Sequence, residues 1–408
     1  MKFPFLLFLL FVVSLSKAQS PILIFKSGYE GNSHVIQNWK QGVQDSTHAD
    51  IEGIDNGWDW ESTINGSPHV GFFAIRYEVL DTIAAKAEII PELGNSSNKI
   101  LSFKMSAPNV ADYGGGLGKG RIQGAFINND TLRSFFIKER LFIHEDFDFF
   151  TEPQFDSLNL NWMTIQEFWN NGPKNGEPYP FRVTLNIRKP KNSDTLYFGI
   201  HAQTQDTIQV WDNVWDSIAT SYPIPLGSWL DIETYFVEGD SLNGKFKFIV
   251  TDTSGIRQTI FDITGFTHHP LDPNPDGIQD FNPMKLYTFG PYIDTMAVYN
   301  KCLCLYWDDL ELWKGTETIL SVTHEKINLN TLVYPNPSVN LITIEFDNQH
   351  NELFTLELFN LLGTNVRTIS NISNGKILIK RKNLPSGVYF FHLYSKTYIH
   401  DSGKIIFE

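Results

Sequence analysis

The chain has 408 residues, enough for two or three domains at roughly 150 residues each. Hydrophobic residues make up 42% and charged residues 19%, so the chain can bury a large core and does not fall in the disordered class. Its 46 Asp and Glu against 32 Lys and Arg lack the basic excess of a nucleic-acid binder, and two cysteines exclude a disulfide scaffold.

The N-terminus reads as a secretory signal peptide over residues 1–18. Lys2 supplies the charge, residues 3–13 form an apolar run broken only by Pro4, and Ser16-Lys17-Ala18 offers small residues for cleavage before Gln19. The run is shorter than the ~20 apolar residues of a membrane span. No later stretch approaches that length, so no transmembrane segment is expected once the signal is removed.

Residues 20–315 form the body, which holds all ten Trp. Residues 181–188, 195–202, 229–236 and 245–250 alternate with period two, and turn clusters at 170–173, 239–244 and 252–255 separate such runs. No long amphipathic helix stands out. The pattern predicts an all-β fold, one large antiparallel jelly-roll sandwich. Cys302 and Cys304 read as buried small hydrophobes, because bridging two residues of one strand at that spacing is awkward. Asp272-Pro-Asn-Pro-Asp-Gly-Ile-Gln-Asp280 has the opening of a calcium loop, with Asp272, Asn274, Asp276 and Asp280 as oxygen donors around Gly277. Pro283 stands where a bidentate Glu is expected, so a structural calcium and a solvated turn both remain open. No other cofactor is required.

Residues 316–331 lack aromatics and read as a linker. The tail, residues 332–408, is nearly neutral, with seven basic and six acidic residues, so the excess acid lies in the body. Short strands are expected at 342–346, 354–359, 376–379 and 387–393, with turns at 360–363 and 384–387, which fits a small immunoglobulin-like β-sandwich of about seven strands.

The tail carries an ordered set of landmarks: Val333-Tyr-Pro-Asn-Pro-Ser338, Leu358-Phe-Asn-Leu-Leu-Gly363, Leu384-Pro-Ser-Gly-Val-Tyr-Phe-Phe391 and Gly403-Lys404. It resembles the C-terminal sorting domain of the type IX (Por) secretion system of Bacteroidota. The resemblance implies passage through the periplasm and across the outer membrane, with the secretion machinery and its sortase as partners. It also implies a mature protein that is secreted or attached to the outer-membrane surface.

The body resembles the concanavalin-like jelly rolls of secreted polysaccharide lyases and related sugar-binding proteins. Gly28-Tyr-Glu-Gly31, residues 227–239 with 244–247, Lys285-Leu-Tyr-Thr-Phe-Gly-Pro-Tyr292 and residues 305–313 carry the likeness. The resemblance implies a polysaccharide partner and β-elimination. That chemistry uses a Gln or Asn on the uronate carboxylate, a His base and a Tyr acid within hydrogen-bond reach of one another. The candidates are Gln166 or Gln203, His201, and Tyr287 or Tyr292. Lys285 is expected on the substrate, and Trp211 and Trp215 as a sugar platform. The family's Gln-x-His order is absent: Gln166-Glu167-Phe168 stands there, and His201-Ala-Gln203 follows later in reverse. An acidic body needs a local basic groove to hold a polyanion, and Lys174, Arg182, Arg188, Lys189, Lys191, Lys245, Lys247 and Lys285 are the available bases.

Two other readings stand beside the lyase. One is a non-catalytic glycan-binding or adhesin module. The other is a glycoside hydrolase, which needs two carboxylates about 5–10 Å apart. Residues 145–152 come nearest to that and are expected to form an acidic strand or loop.

Overall fold

The computed structural model describes residues 21–37, 47–78, 84–106, 118–127, 129, 132–155, 158–170, 178–205, 211–315, 331–346, 348, 353–360, 365–395 and 398–408. The expected signal peptide and residues 316–330 of the expected linker lie outside the described residues. The chain divides into two compact units, Met1–Glu317 and Thr318–Glu408.

The first unit is a jelly roll of two antiparallel sheets. One has nine strands in the order Trp211–Pro223, Tyr197–Gln205, Phe181–Arg188, Met163–Trp169, Asp280–Phe289, Lys119–Ile127, Phe72–Glu78, Thr47–Glu52 and His34–Gln37. The other has eight. Arg257–Thr264, Lys245–Thr251, Trp229–Val237, Ser134–Ile143, Leu303–Lys314, Asn95–Met105 and Ala85–Glu92 lie side by side, and Ile22–Ser27 pairs with the end of Leu303–Lys314. Alternation sets the inward faces: Val183, Leu185 and Ile187 are fully buried, while the residues between them turn to the opposite face. Phe135 joins the two layers. Its ring lies 5.1 Å from Phe236 in its own sheet and 5.5 and 4.3 Å from Phe168 and Phe281 in the other. Burying each such side chain contributes about 1.5–3 kcal/mol.

Three local expectations change. Residues 145–152 are not a strand: Glu145–Thr151 is a 3₁₀-helix whose three-residue period buries Phe147 and Phe150 together, and His144 Nδ1 accepts from Asp146 N at 3.1 Å to cap it. Residues after Phe289 leave the sheet for an α-helix, Gly290–Val298, with Pro291 in its first turn, where its missing N–H is not needed. Cys302 and Cys304 form a disulfide, with Cα atoms 5.3 Å apart. Cys302 precedes the strand Leu303–Lys314, so pleating does not hold it away from Cys304.

The second unit has its own core, with Ile342, Ile344, Leu356, Leu358, Phe391 and Ile405 among its members. A three-stranded sheet (Leu332–Tyr334, Leu341–Glu345, Lys376–Lys380) and a four-stranded sheet (Asn365–Ile372, Phe354–Phe359, Gly387–Ser395, Tyr398–Phe407) enclose it. Among the described residues no helix is long and apolar enough to cross a membrane.

Candidate functional site

The nine-stranded sheet turns a polar face away from the core. Phe181–Arg188 places Arg182, Thr184, Asn186 and Arg188 there, and Gln203 and His201 stand opposite Arg182 and Thr184 on the next strand. On the other side Met163–Trp169 contributes Thr164 and Glu167, Asp280–Phe289 contributes Asn282, Lys285 and Tyr287, and Lys119–Ile127 contributes Lys119, Arg121 and Gln123.

Lys285, Arg182 and Arg121 surround Glu167 with positive charge. Lys285 Nζ forms an ion pair with Glu167 Oε2, and Arg182 Nη1 lies 3.5 Å from Glu167 Oε1. Gln203 Oε1 accepts from Arg182 Nε at 2.9 Å and Nη2 at 2.7 Å, which fixes the guanidinium, and Trp211 lies against it with 3.9 Å from Cζ to the ring centre. Tyr287 is ringed by cations: Lys285 Nζ lies 4.9 Å from its ring centre, Arg121 Cζ 5.7 Å and Lys119 Nζ 5.9 Å. The Trp162 ring is 5.0 Å away on another side.

The electrostatics follow from depth and charge. Burial alone raises the Glu167 carboxyl, but Lys285, Arg182 and Arg121 outweigh it and hold Glu167 below its ordinary value. Lys285 is only 1% exposed, and its burial outweighs the pull of Glu167, bringing it down to about 8. Burial, then Glu78, raises Tyr287 above 10, against Lys119 and Arg121, so it carries its proton at neutral pH. His201 is pushed down to about 3 by burial, then by Arg188 and Arg182. Arg188 Nη2 donates to His201 Nδ1 at 2.7 Å; arginine only donates, so Nδ1 accepts and Nε2 carries the hydrogen.

Of the residues singled out in the sequence, Lys285, Tyr287, Gln203, His201 and Trp211 share this face. Gln166 does not: it points between the sheets, donating to Glu139 Oε1 at 2.6 Å and accepting from Thr234 Oγ1 at 2.7 Å. Tyr292 lies in the helix Gly290–Val298, packs on Phe150 and Phe289 and donates to Asn159 O at 3.3 Å. Trp215 packs on Phe246 and donates from Nε1 to Phe266 O at 2.8 Å, so it serves the core. In the calcium-like loop, Asp272 Oδ1 accepts from Asn274 N, while Asp280 is buried and accepts from Trp169 Nε1 at 3.1 Å. Asp272, Asp276 and Asp280 therefore do not gather; among the described residues no three His, Cys, Asp or Glu could hold a metal together.

Sequence reasoning passed over Arg121 and Lys119, and it counted Arg182 only among the bases available for a groove. A signal was present in Lys119-Gly-Arg121-Ile-Gln123, where polar residues alternate as they do on one face of a strand. Lys189 is buried and donates to Phe155 O and Leu158 O, and Lys245 and Lys247 belong to the other sheet, so these three do not serve the polar face.

In the second unit the landmark residues tie the last strand down. Asn336 Nδ2 donates to Lys404 O and its Oδ1 accepts from Ile406 N, both at 2.8 Å. Tyr389 donates to Pro385 O at 2.8 Å across the Leu384-Pro-Ser-Gly387 turn. Residues 332–408 match the family model of the secretion system C-terminal sorting domain. The tail is such a sorting domain. A sorting domain of the type IX kind marks the protein for export, to be secreted or held at the cell surface, and engages the type IX machinery.

No curated protein matches the chain by sequence. Among solved structures the chain is similar to the alginate lyase of Aplysia kurodai, at 12% identity over 62% of this chain and 94% of that one, with a TM-score of 0.37. It is also similar to the endo-β-1,4-glucuronan lyase of Trichoderma reesei, at 13% identity over 57% and 87%, with a TM-score of 0.36. A third similar structure is the exoplasmic domain of VIP36 in a calcium- and glycan-bound form, at 9% identity over 62% and 88%, with a TM-score of 0.32. These are likenesses of fold.

Proposed function

We propose that the exported body cleaves an anionic, uronate-containing polysaccharide by β-elimination on the polar face of the nine-stranded sheet. The observation that carries the reading is Lys285 standing between Glu167, which Arg182 also faces, and the Tyr287 ring, which Arg121 also faces. Arg182, oriented by Gln203, receives the uronate carboxylate and stabilises the charge that builds on it. Lys285, drawn down to about 8, takes the C5 proton in its neutral form. The C5–H electron pair becomes the C4–C5 double bond, the C4–O bond breaks, and Tyr287 gives its proton to the departing oxygen. The phenolate left behind is stabilised by Lys119 and Arg121 until it is reprotonated. His201 does not act as the base in this scheme, because its Nδ1 lone pair is taken by Arg188.

The export route in this reading begins with the N-terminal signal at the inner membrane and ends with sortase removal of the tail. The expected outcome with a panel of polyuronates is a joint rise in ultraviolet absorbance from the unsaturated product and in reducing ends. Reducing ends alone would mean hydrolysis and sink the elimination.

A glycan-binding module is the second reading, and the near-complete burial of Lys285 favours it. It predicts retention on a polysaccharide without any product, weakened by Trp211→Ala.

A further inference from the structure

Strict alternation along Met163–Trp169 would send Ile165 and Glu167 to one face and Thr164, Gln166 and Phe168 to the other. Ile165 and Phe168 are both fully buried in the core, and Gln166 is 1% exposed. The phase changes at a bulge. Pairing with Phe181–Arg188 shifts between Thr164 and Gln166, and pairing with Asp280–Phe289 shifts between Thr164 and Glu167. The shift turns Glu167 out to the polar face and Gln166 inward.

We infer that Gln166 is a positioning residue: its amide locks this bulge to the opposite sheet and so holds Glu167 against Lys285. A buried amide without partners costs about 1–3 kcal/mol, enough to loosen the bulge that carries it. Here the amide has a partner at each end, Glu139 on Ser134–Ile143 and Thr234 on Trp229–Val237, and both belong to the eight-stranded sheet. The inward position is therefore stable only while those cross-sheet bonds stand. Among the described residues the second oxygen of Glu139, Oε2, is buried and without a partner, and Gln166 donates to the first. The inference rests on the polar face as the site proposed above and not on the elimination chemistry.

The test follows Lys285 by NMR of its side-chain amine in the full chain. The charged groups around that amine are Glu167, Arg182 and Arg121 from three neighbouring strands and Tyr287 on its own, with Lys119 and Glu78 beyond Tyr287. Glu167 is the anion that raises Lys285. Glu167→Gln and Gln166→Leu should both lower its titration midpoint, by about one pH unit or more. Glu139→Gln, which keeps an acceptor for the amide, should leave the midpoint at the wild-type value. If Gln166→Leu moves nothing while Glu167→Gln does, the inference is overturned. Should Gln166→Leu not fold, Thr234→Val removes one of the two bonds and should shift Lys285 downward by less; no shift would overturn the inference equally. Absence of lyase activity in the wild type would sink the proposed function and leave this result standing.

Discussion

Lys285 touches both Glu167 and the Tyr287 ring, and its protonation sets the expected pH behaviour. A base at about 8 works in its neutral form, so kcat/KM should climb with pH and level off above that value. Glu167→Gln removes the anion that raises Lys285 and should move the climb to lower pH. His201, held near 3, should add no inflection between neutral and mildly acidic pH. A rate profile with a midpoint in the ordinary histidine range would contradict this. Tyr287→Phe should reduce elimination by about a hundredfold or more while leaving affinity for the polysaccharide near wild type, since only the proton donor is gone. Equal losses of affinity and rate, read by calorimetry beside kinetics, would make Tyr287 a binding residue instead.

Strands carry these side chains, and most strands were legible from period-two patterning: 181–188 and 354–359 match the structure end to end. Alternation gives the face but not the cross-strand partner, so the pairing of Arg182 with Gln203 came only from the structure. The patterning failed where alternation is broken. The bulge reverses Gln166 and Glu167, and the helix after Phe289 removes Tyr292 from the sheet; both events depend on partners in other elements, which a local window does not contain. The Cys302–Cys304 bridge was missed because both residues were read as lying within one strand, whereas the strand begins only at Leu303.

The buried partner in the bulge, Glu139, also makes a prediction at this scale. Burial lifts its carboxyl from 4.5 to about 8, so the fold favours the protonated form. Stability from this group is complete below 4.5 and is lost as pH rises toward 8. Glu139→Gln should therefore raise unfolding free energy at neutral pH, by at most about 3 kcal/mol, and change little at acid pH. Urea unfolding at the two pH values checks this; the same difference at both would contradict it.

At the scale of the molecule the charges separate. A net −14 chain is a poor partner for a polyanion, yet its acids gather elsewhere. A cavity of about 510 Å³ beside the eight-stranded sheet is lined mainly by acids, among them Glu30, Asp231, Glu233 and Glu311, with Lys26, Lys138 and Arg140 between them, while Arg182, Arg188, Arg121, Lys119 and Lys285 share the polar face of the nine-stranded sheet. Composition could not reveal that separation, because it depends on which sheet each base joins. Polyuronate affinity should accordingly fall as salt rises, and retention that is insensitive to salt would argue against a charged contact. The two units have separate cores, so a chain ending before residue 332 should fold its body and fail to leave the cell. Fractionation with an antibody to the body reads this, and normal export of the shortened chain would deny the tail its sorting role. Mass spectrometry of the oligosaccharides that the wild-type protein releases from a polyuronate bears on the whole proposal. Elimination predicts that every fragment with a newly made non-reducing end is lighter by one water than its hydrolytic counterpart, only the fragment from the original chain end keeping the full water, and that these unsaturated products fall about a hundredfold or more when Tyr287→Phe replaces the wild type. Products that all carry the full water, or none from any polyuronate, would contradict it.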